Sequence, residues 1–177
     1  PPHEVALPVQ VEGSPVVLTG AWADLREGGR VEVSFRPFSA AALLATWVEH
    51  VVLNCAPAPG MQRVTRHLFL GELVTLPALE NPAGVLERML QAYGEGLRRP
   101  LPLYPKSSFA LLEDSNGKQA AHNAFHGSQF GGNAGESSYA AVKLAVRGIG
   151  DPLDARFEAV SREILEPLLA VMQRSPA

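Results

Sequence analysis

One cysteine, Cys55, stands in 177 residues, so no internal disulfide staples the chain and its fold must rest on a packed apolar core. Cys55 lies among apolar neighbours and reads as a small buried side chain in a reducing cytoplasm. No run approaches the roughly 20 apolar residues of a membrane helix, and no basic, apolar, small-residue series opens the chain as a secretion signal does. A cytoplasmic location and no membrane partner are therefore expected. Charge is sparse: 19% of residues are charged and the formal net charge is −3. Any contact with nucleic acid must then come from a local basic cluster or from a larger assembly. A glycine-rich phosphate loop ending in Lys and Ser/Thr is missing, which excludes ATPase and helicase chemistry of that kind. What is present is 46% hydrophobic residues, enough for one globular domain over residues 1–177. The start at Pro1-Pro2-His3, without Met, reads as a piece excised from a longer polypeptide.

The most telling absence is a lysine. A metal-dependent nuclease of one common architecture places an acidic residue at the end of one strand. On the next strand it places a second acidic residue followed two positions later by Lys, so that carboxylates hold Mg²⁺ and the ammonium stabilises developing charge. Val16 to Leu25 and Arg30 to Arg36 read as such a strand pair, but the second runs Val31-Glu32-Val33-Ser34-Phe35-Arg36, with Ser34 where Lys belongs. Asp24 stands near the first acidic position. A one-residue displacement on a strand turns a side chain to the opposite face, so its carboxylate is expected to point away from the site.

Further along, Glu4 to Glu12 reads as a strand that Gly13-Ser14-Pro15 turns back into Val16 to Leu25. Ser39 is placed to cap a helix reaching Cys55, with Leu43, Leu44, Trp47, Val48, Val51 and Val52 as its apolar stripe. Val64 to Leu70 and Glu72 to Leu76 form a hairpin about Gly71, and a second helix runs from Pro82 to about Arg98. Three prolines make Pro100 to Ser107 an extended connection. Helical patterns then cover Pro105 to Glu113, Lys118 to His126, Tyr139 to Arg147 and Asp154 to Gln173, the last with a kink or break expected at Pro167. Strands first and helices after predict an α/β (α+β) fold, a small mixed sheet flanked by helices.

Several stretches carry a resemblance, in order along nearly the whole chain. They are Gly29 to Pro37, Leu44 to Val52 with its Trp47-Val48-Glu49-His50 run, Tyr93 to Ser107 with Pro100-Leu101-Pro102-Leu103-Tyr104-Pro105-Lys106, and Leu144 to Gly148. Together they resemble the C-terminal domain of RecC, the gamma subunit of the bacterial RecBCD complex, exodeoxyribonuclease V. The resemblance implies a degenerate restriction-endonuclease-like, RecB nuclease-like core that has lost its active site. Active relatives add a Gln and a Tyr from the helix after the Lys-bearing strand, where this chain has Trp47, Glu49 and His50. The implied role is non-catalytic: contacts with the RecB and RecD subunits and with DNA ends and separated strands in double-strand-break repair and homologous recombination. No catalytic residue, metal ligand or cofactor is implied.

Arg98, Arg99 and Lys106 flank the proline-rich segment and, with Tyr104, offer a basic and aromatic surface for DNA or a partner. The competing reading is charge compensation at a helix C-terminus by the arginines and core packing by Tyr104. His122 and His126, four apart, share a helix face, yet Asn123 replaces the Glu of the metalloprotease pattern, and no further His or Cys follows nearby. Arg147 before Gly148 fits a helix end, Trp47 a core anchor, and Trp22 stays open between core and surface. The hairpin from Val64 to Leu76 and the glycine-rich stretch after His126 are candidate contact loops. The alternative function is a working nuclease in which Asp24, Glu32 and a distant carboxylate such as Glu12 bind metal, with Arg36 in place of Lys.

Overall fold

The computed structural model describes residues 2–127 and 134–177. The chain forms two compact units, one of residues up to Gly94 together with Pro167–Ala177, the other Glu95–Glu166. It is mixed α/β, with small sheets flanked by helices.

The first unit opens with a two-stranded antiparallel sheet of β1 (His3–Val11) and β2 (Ser14–Trp22). Its turn is Glu12-Gly13, at φ 51 and 78, rather than Gly13-Ser14-Pro15. A two-residue hairpin that follows the strand twist needs positive φ at both central positions, which Pro15 cannot supply. Pro15 instead pairs with Gln10 inside β2, tolerable because a two-stranded sheet has only edges. This pairing corrects the expected strand pair: Val16 to Leu25 does not lie against Arg30 to Arg36. Ala23-Asp24 interrupts it, β2 pairs with β1, and only β3 (Leu25–Arg26) joins β4 (Gly29–Val33).

β3 and β4 begin a second, five-stranded sheet in the order β3-β4-β5-β6-β7, where β5 is Thr65–Phe69, β6 Glu72–Leu76 and β7 Gln173–Pro176. Only β4 and β5 run parallel, and the crossover between them carries α1 (Ala40–Cys55). Gly29 makes the entry to β4 possible: at φ 108, a Cβ there would meet the Val64 carbonyl oxygen at 2.1 Å. The β5–β6 hairpin turns at Gly71, φ 82, as its sequence requires. β7 replaces the end of the helix expected to reach Gln173.

Ser39 caps α1, its hydroxyl accepting from the Ala42 amide at 3.4 Å. The face α1 buries carries Leu43, Trp47, Val51 and, between them, the polar Thr46, His50 and Asn54. Val48, expected in the stripe, is exposed. α2 spans Pro82–Gly96.

In the second unit the extended segment ends at Tyr104, because Pro105 is already the first residue of α3 (Pro105–Glu113), where a missing N–H costs nothing. α4 (Gly117–His126), a 3-10 turn at Glu136–Ser138 and α5 (Ala140–Ala145) follow. Tyr104, Leu111, Ala121, Phe125 and Phe157 form its core. The last helix, α6 (Ala155–Val171), continues through Pro167 without the expected break. Leu165 and Leu168 beside the proline are completely buried, each stabilising by roughly 1.5–3 kcal/mol, which offsets the lost backbone bond. No helix among the described residues is long and apolar enough to cross a membrane.

Candidate functional site

Strand alternation puts Arg30 and Glu32 of β4 on the face that looks toward α1. Arg30 is nearly enclosed, its side chain 8% exposed, and its guanidinium stands among three carboxylates. Nε meets Asp24 Oδ2 at 2.9 Å, and Nη2 meets Glu32 Oε2 at 3.2 Å and Glu49 Oε2 at 2.6 Å. Nη1 is buried with no hydrogen-bond partner among the described residues. Asp24 comes from the link between β2 and β3, and Glu49 from the middle of α1. The expectation that Asp24 points away fails because Asp24 is not on a strand, so the alternation rule does not fix its side chain.

Chemically the three carboxylates share a cation that is part of the chain itself. An Arg guanidinium stays charged at every working pH and presents planar donors, so carboxylate oxygens that a divalent ion would need are committed to N–H groups. Among the described residues, no group of three His, Cys, Asp or Glu side chains is arranged to hold a metal ion. The carboxylates are half-exposed, at 34–43%, while the guanidinium between them is not. The arrangement ties β4, the β2–β3 link and α1 together.

A buried polar network continues from the cluster. Glu32 pairs in register with His67 of β5, whose Nδ1 lies 2.8 Å from Thr46 Oγ1 and 3.6 Å from Glu32 Oε2. The Thr46 hydroxyl is also 3.0 Å from Glu32 Oε2 and 3.1 Å from the Ala42 carbonyl. With one proton to donate to either acceptor, its oxygen accepts from His67 Nδ1–H. Burial lowers the His67 pKa against the opposing pull of Glu32, and Arg30 lowers it further. One turn along α1, His50 Nε2 donates to the Pro77 carbonyl at 3.0 Å, and its Nδ1 accepts from Thr65 Oγ1 at 2.9 Å. Burial, with a smaller contribution from Arg30, pushes His50 down to about 4 despite the Pro77 bond. Asn54 ends the series by accepting from the Leu79 amide at 3.0 Å.

Sequence reasoning missed Arg30, Thr46 and Asn54, although signals existed. Arg30 precedes Glu32 by two, which on a strand means a shared face. Thr46, His50 and Asn54 recur every four residues through an apolar helix, the mark of a polar ladder on its inner face. The nuclease alternative loses its third member: Glu12 lies at the hairpin turn, its side chain packed where Gly94 leaves room, and Arg36 is exposed past the end of β4.

The basic and aromatic group is not one surface. Arg98, Arg99 and Lys106 are exposed, but Tyr104 is 6% exposed and packs against Phe125 and Phe157. Burial raises the Tyr104 pKa, with Asp154 adding to it. Arg99 pairs with Glu95, which also accepts from Arg156 Nη2 at 2.9 Å. These two bonds, Arg99 first, hold the Glu95 carboxyl below its usual range. His122 and His126 sit side by side on α4, ring centroids 4.4 Å apart and both exposed. Trp47 is fully buried, as a core anchor should be, and Trp22 is half-buried over Gly20. Gly148, at φ 81, follows Arg147 past the end of α5. Most of the glycine-rich stretch after His126 lies outside the described residues.

A family model described as the RecC C-terminal domain matches residues 1–116. The chain belongs to the RecC C-terminal domain family. Membership gives it a place in the RecBCD complex, exodeoxyribonuclease V, and in DNA repair and recombination. The RecC match takes in the whole Arg30 cluster and also Arg98, Arg99 and Lys106, while Leu144 to Gly148 lie beyond it. No curated protein matches the chain.

Proposed function

We propose that this RecC domain is a non-catalytic structural and DNA-handling module, built on a restriction-endonuclease-like core whose metal site is filled by its own arginine. It works in the cytoplasm through contacts with RecB, RecD and DNA during double-strand-break repair and homologous recombination. One observation supports the reading: the Arg30 guanidinium lies within 2.6–3.2 Å of Asp24, Glu32 and Glu49, so the carboxylates that an exchangeable divalent ion would need are paired with a fixed cation. Ser34 in place of the lysine supports it independently, since Ser carries no ammonium charge to set against the charge developing on a phosphate.

Near the proline-rich segment the exposed Lys106 is the candidate for phosphate or partner contact, with Arg98 and Arg99 beside it. Arg99 is partly neutralised by Glu95, and Tyr104 acts as packing. Deleting residues 1–177 from the full subunit, then measuring assembly with RecB and RecD alongside duplex unwinding, tests the role. Lost assembly identifies scaffolding and intact assembly with lost unwinding identifies DNA handling. Unchanged assembly and unwinding refute both. Magnesium-dependent cleavage by the purified subunit that disappears on Asp24→Asn contradicts the non-catalytic reading.

A further inference from the structure

The five-stranded sheet has a second face. Residues facing away from α1 at its β3–β4–β5 edge include Val31 and Val33 of β4 and Leu68 of β5, with Val31 paired to Arg66 and Val33 to Leu68. Phe35 and Leu70 extend the same rows past the strand ends. Their exposures are 43% for Val31, 53% for Val33, 36% for Leu68, 66% for Leu70 and 91% for Phe35. Isolated exposed apolar residues are ordinary, but three on the paired strands β4 and β5, followed at the same spacing by Phe35 and Leu70 past the strand ends, make an apolar row.

The charge on this face has one sign. Arg26, paired with Gly29, and Arg66 point the same way, and the alternating positions of β3, β4 and β5 on this face hold no Asp or Glu. Arg26 Nη1 donates to the Leu25 carbonyl and Arg66 Nη1 to the Gly28 carbonyl, each at 2.8 Å. Neither guanidinium has a carboxylate within ion-pair distance among the described residues, unlike Arg30, Arg99, Arg156, Arg162 and Arg174. Backbone carbonyls hold them in place and leave their charge unneutralised.

We propose that this face is a docking surface for another protein subunit of the complex, one that presents an apolar helix or strand bordered by Asp or Glu. The claim rests on the scaffolding reading above and names the surface that carries it. Positive charge at the strand positions of this face, which hold no acid, selects an acidic partner and disfavours a second copy of this face, which would set arginines against arginines. Branched aliphatic side chains dominate over the single aromatic Phe35. Bases stack on aromatic rings, so this composition favours a protein over a single DNA strand.

The test uses the full subunit carrying Phe35→Asp with Leu70→Asp, a separate Arg26→Glu with Arg66→Glu variant, and a domain deletion. Each is mixed with the other purified subunits of the complex, and fold is checked by circular dichroism and thermal melting. The apolar variant is expected to weaken assembly by about tenfold or more while melting like the wild type. The charge variant should weaken it less and flatten its salt dependence. Phe35→Leu with Leu70→Ile should assemble normally. If the apolar variant misfolds, the charge variant decides alone. Assembly unchanged in folded variants overturns the surface assignment, as does loss of single-stranded DNA binding or of self-association with assembly intact. Assembly that survives the deletion itself overturns the scaffolding reading, and the surface assignment falls with it.

Discussion

His50 links the fold to pH in a way that can be worked through in numbers. In the folded chain its neutral ring donates from Nε2 to the Pro77 carbonyl and accepts at Nδ1 from Thr65, so a second proton has no acceptor and enters a buried site. The pKa is pushed down to about 4 from 6.5. Between those values the unfolded chain holds the proton and the folded one does not, so stability rises with pH across the window and is lost as pH falls through it. At roughly 1.4 kcal/mol per unit of pH, the full loss from this one group is about 3 kcal/mol. His67, also lowered by burial, adds in the same direction. The comparison that isolates His50 is urea unfolding of wild type and His50→Gln at a series of pH values from 7 down to 4.5. Near pH 7 the variant should be less stable by about 1–3 kcal/mol, having disturbed two buried hydrogen bonds. The two stability curves should then converge as pH falls, because only the wild type carries the penalty. Parallel curves across the window would refute the argument, whatever their separation.

Arg30→Met should destabilise by about 1–2 kcal/mol in chemical denaturation, less than for a deeply buried pair because the stranded carboxylates reach water. Added Mn²⁺ should leave the melting temperature of the wild type unchanged. Glu136→Ala removes the carboxylate that accepts from the Lys106 and Ser107 amides and the Ser107 hydroxyl, at 2.7–3.0 Å, and so uncaps α3. A loss of about 2 kcal/mol is expected, with faster amide exchange at Ser107. Gly29→Ala should cost about 3 kcal/mol or more, since the added methyl meets the Val64 carbonyl and the backbone φ is positive. Soluble expression and melting temperature measure it.

Local signals were legible in the sequence. Ser39 before an apolar stripe gave the start of α1, Gly71 gave the β5–β6 turn, and Pro82 and Pro105 each opened a helix. Long-range pairing was not. Alternation says which face a residue takes but not which strand lies alongside: the hairpin of Glu4 to Glu12 with Val16 to Leu25 was legible and forms β1 and β2, but the further pairing of Val16 to Leu25 with Arg30 to Arg36 is not formed and β7 went unseen. Asp24 and Glu32 were both singled out, yet their meaning came from Arg30, two residues before Glu32 on β4, and from Glu49, which reaches the cluster from α1. A basic residue beside acids reads on paper as ordinary surface charge. Only burial and geometry reveal that this one is enclosed and paired with three carboxylates.

The most direct test of that claim is a Mn²⁺ titration of the wild-type chain, followed by electron paramagnetic resonance. With the Arg30 guanidinium holding Asp24, Glu32 and Glu49, the free Mn²⁺ signal should grow in step with added metal, showing no stoichiometric site. A tightly bound Mn²⁺ whose signal returns to that of the free ion on Asp24→Asn or Glu32→Gln would contradict the account.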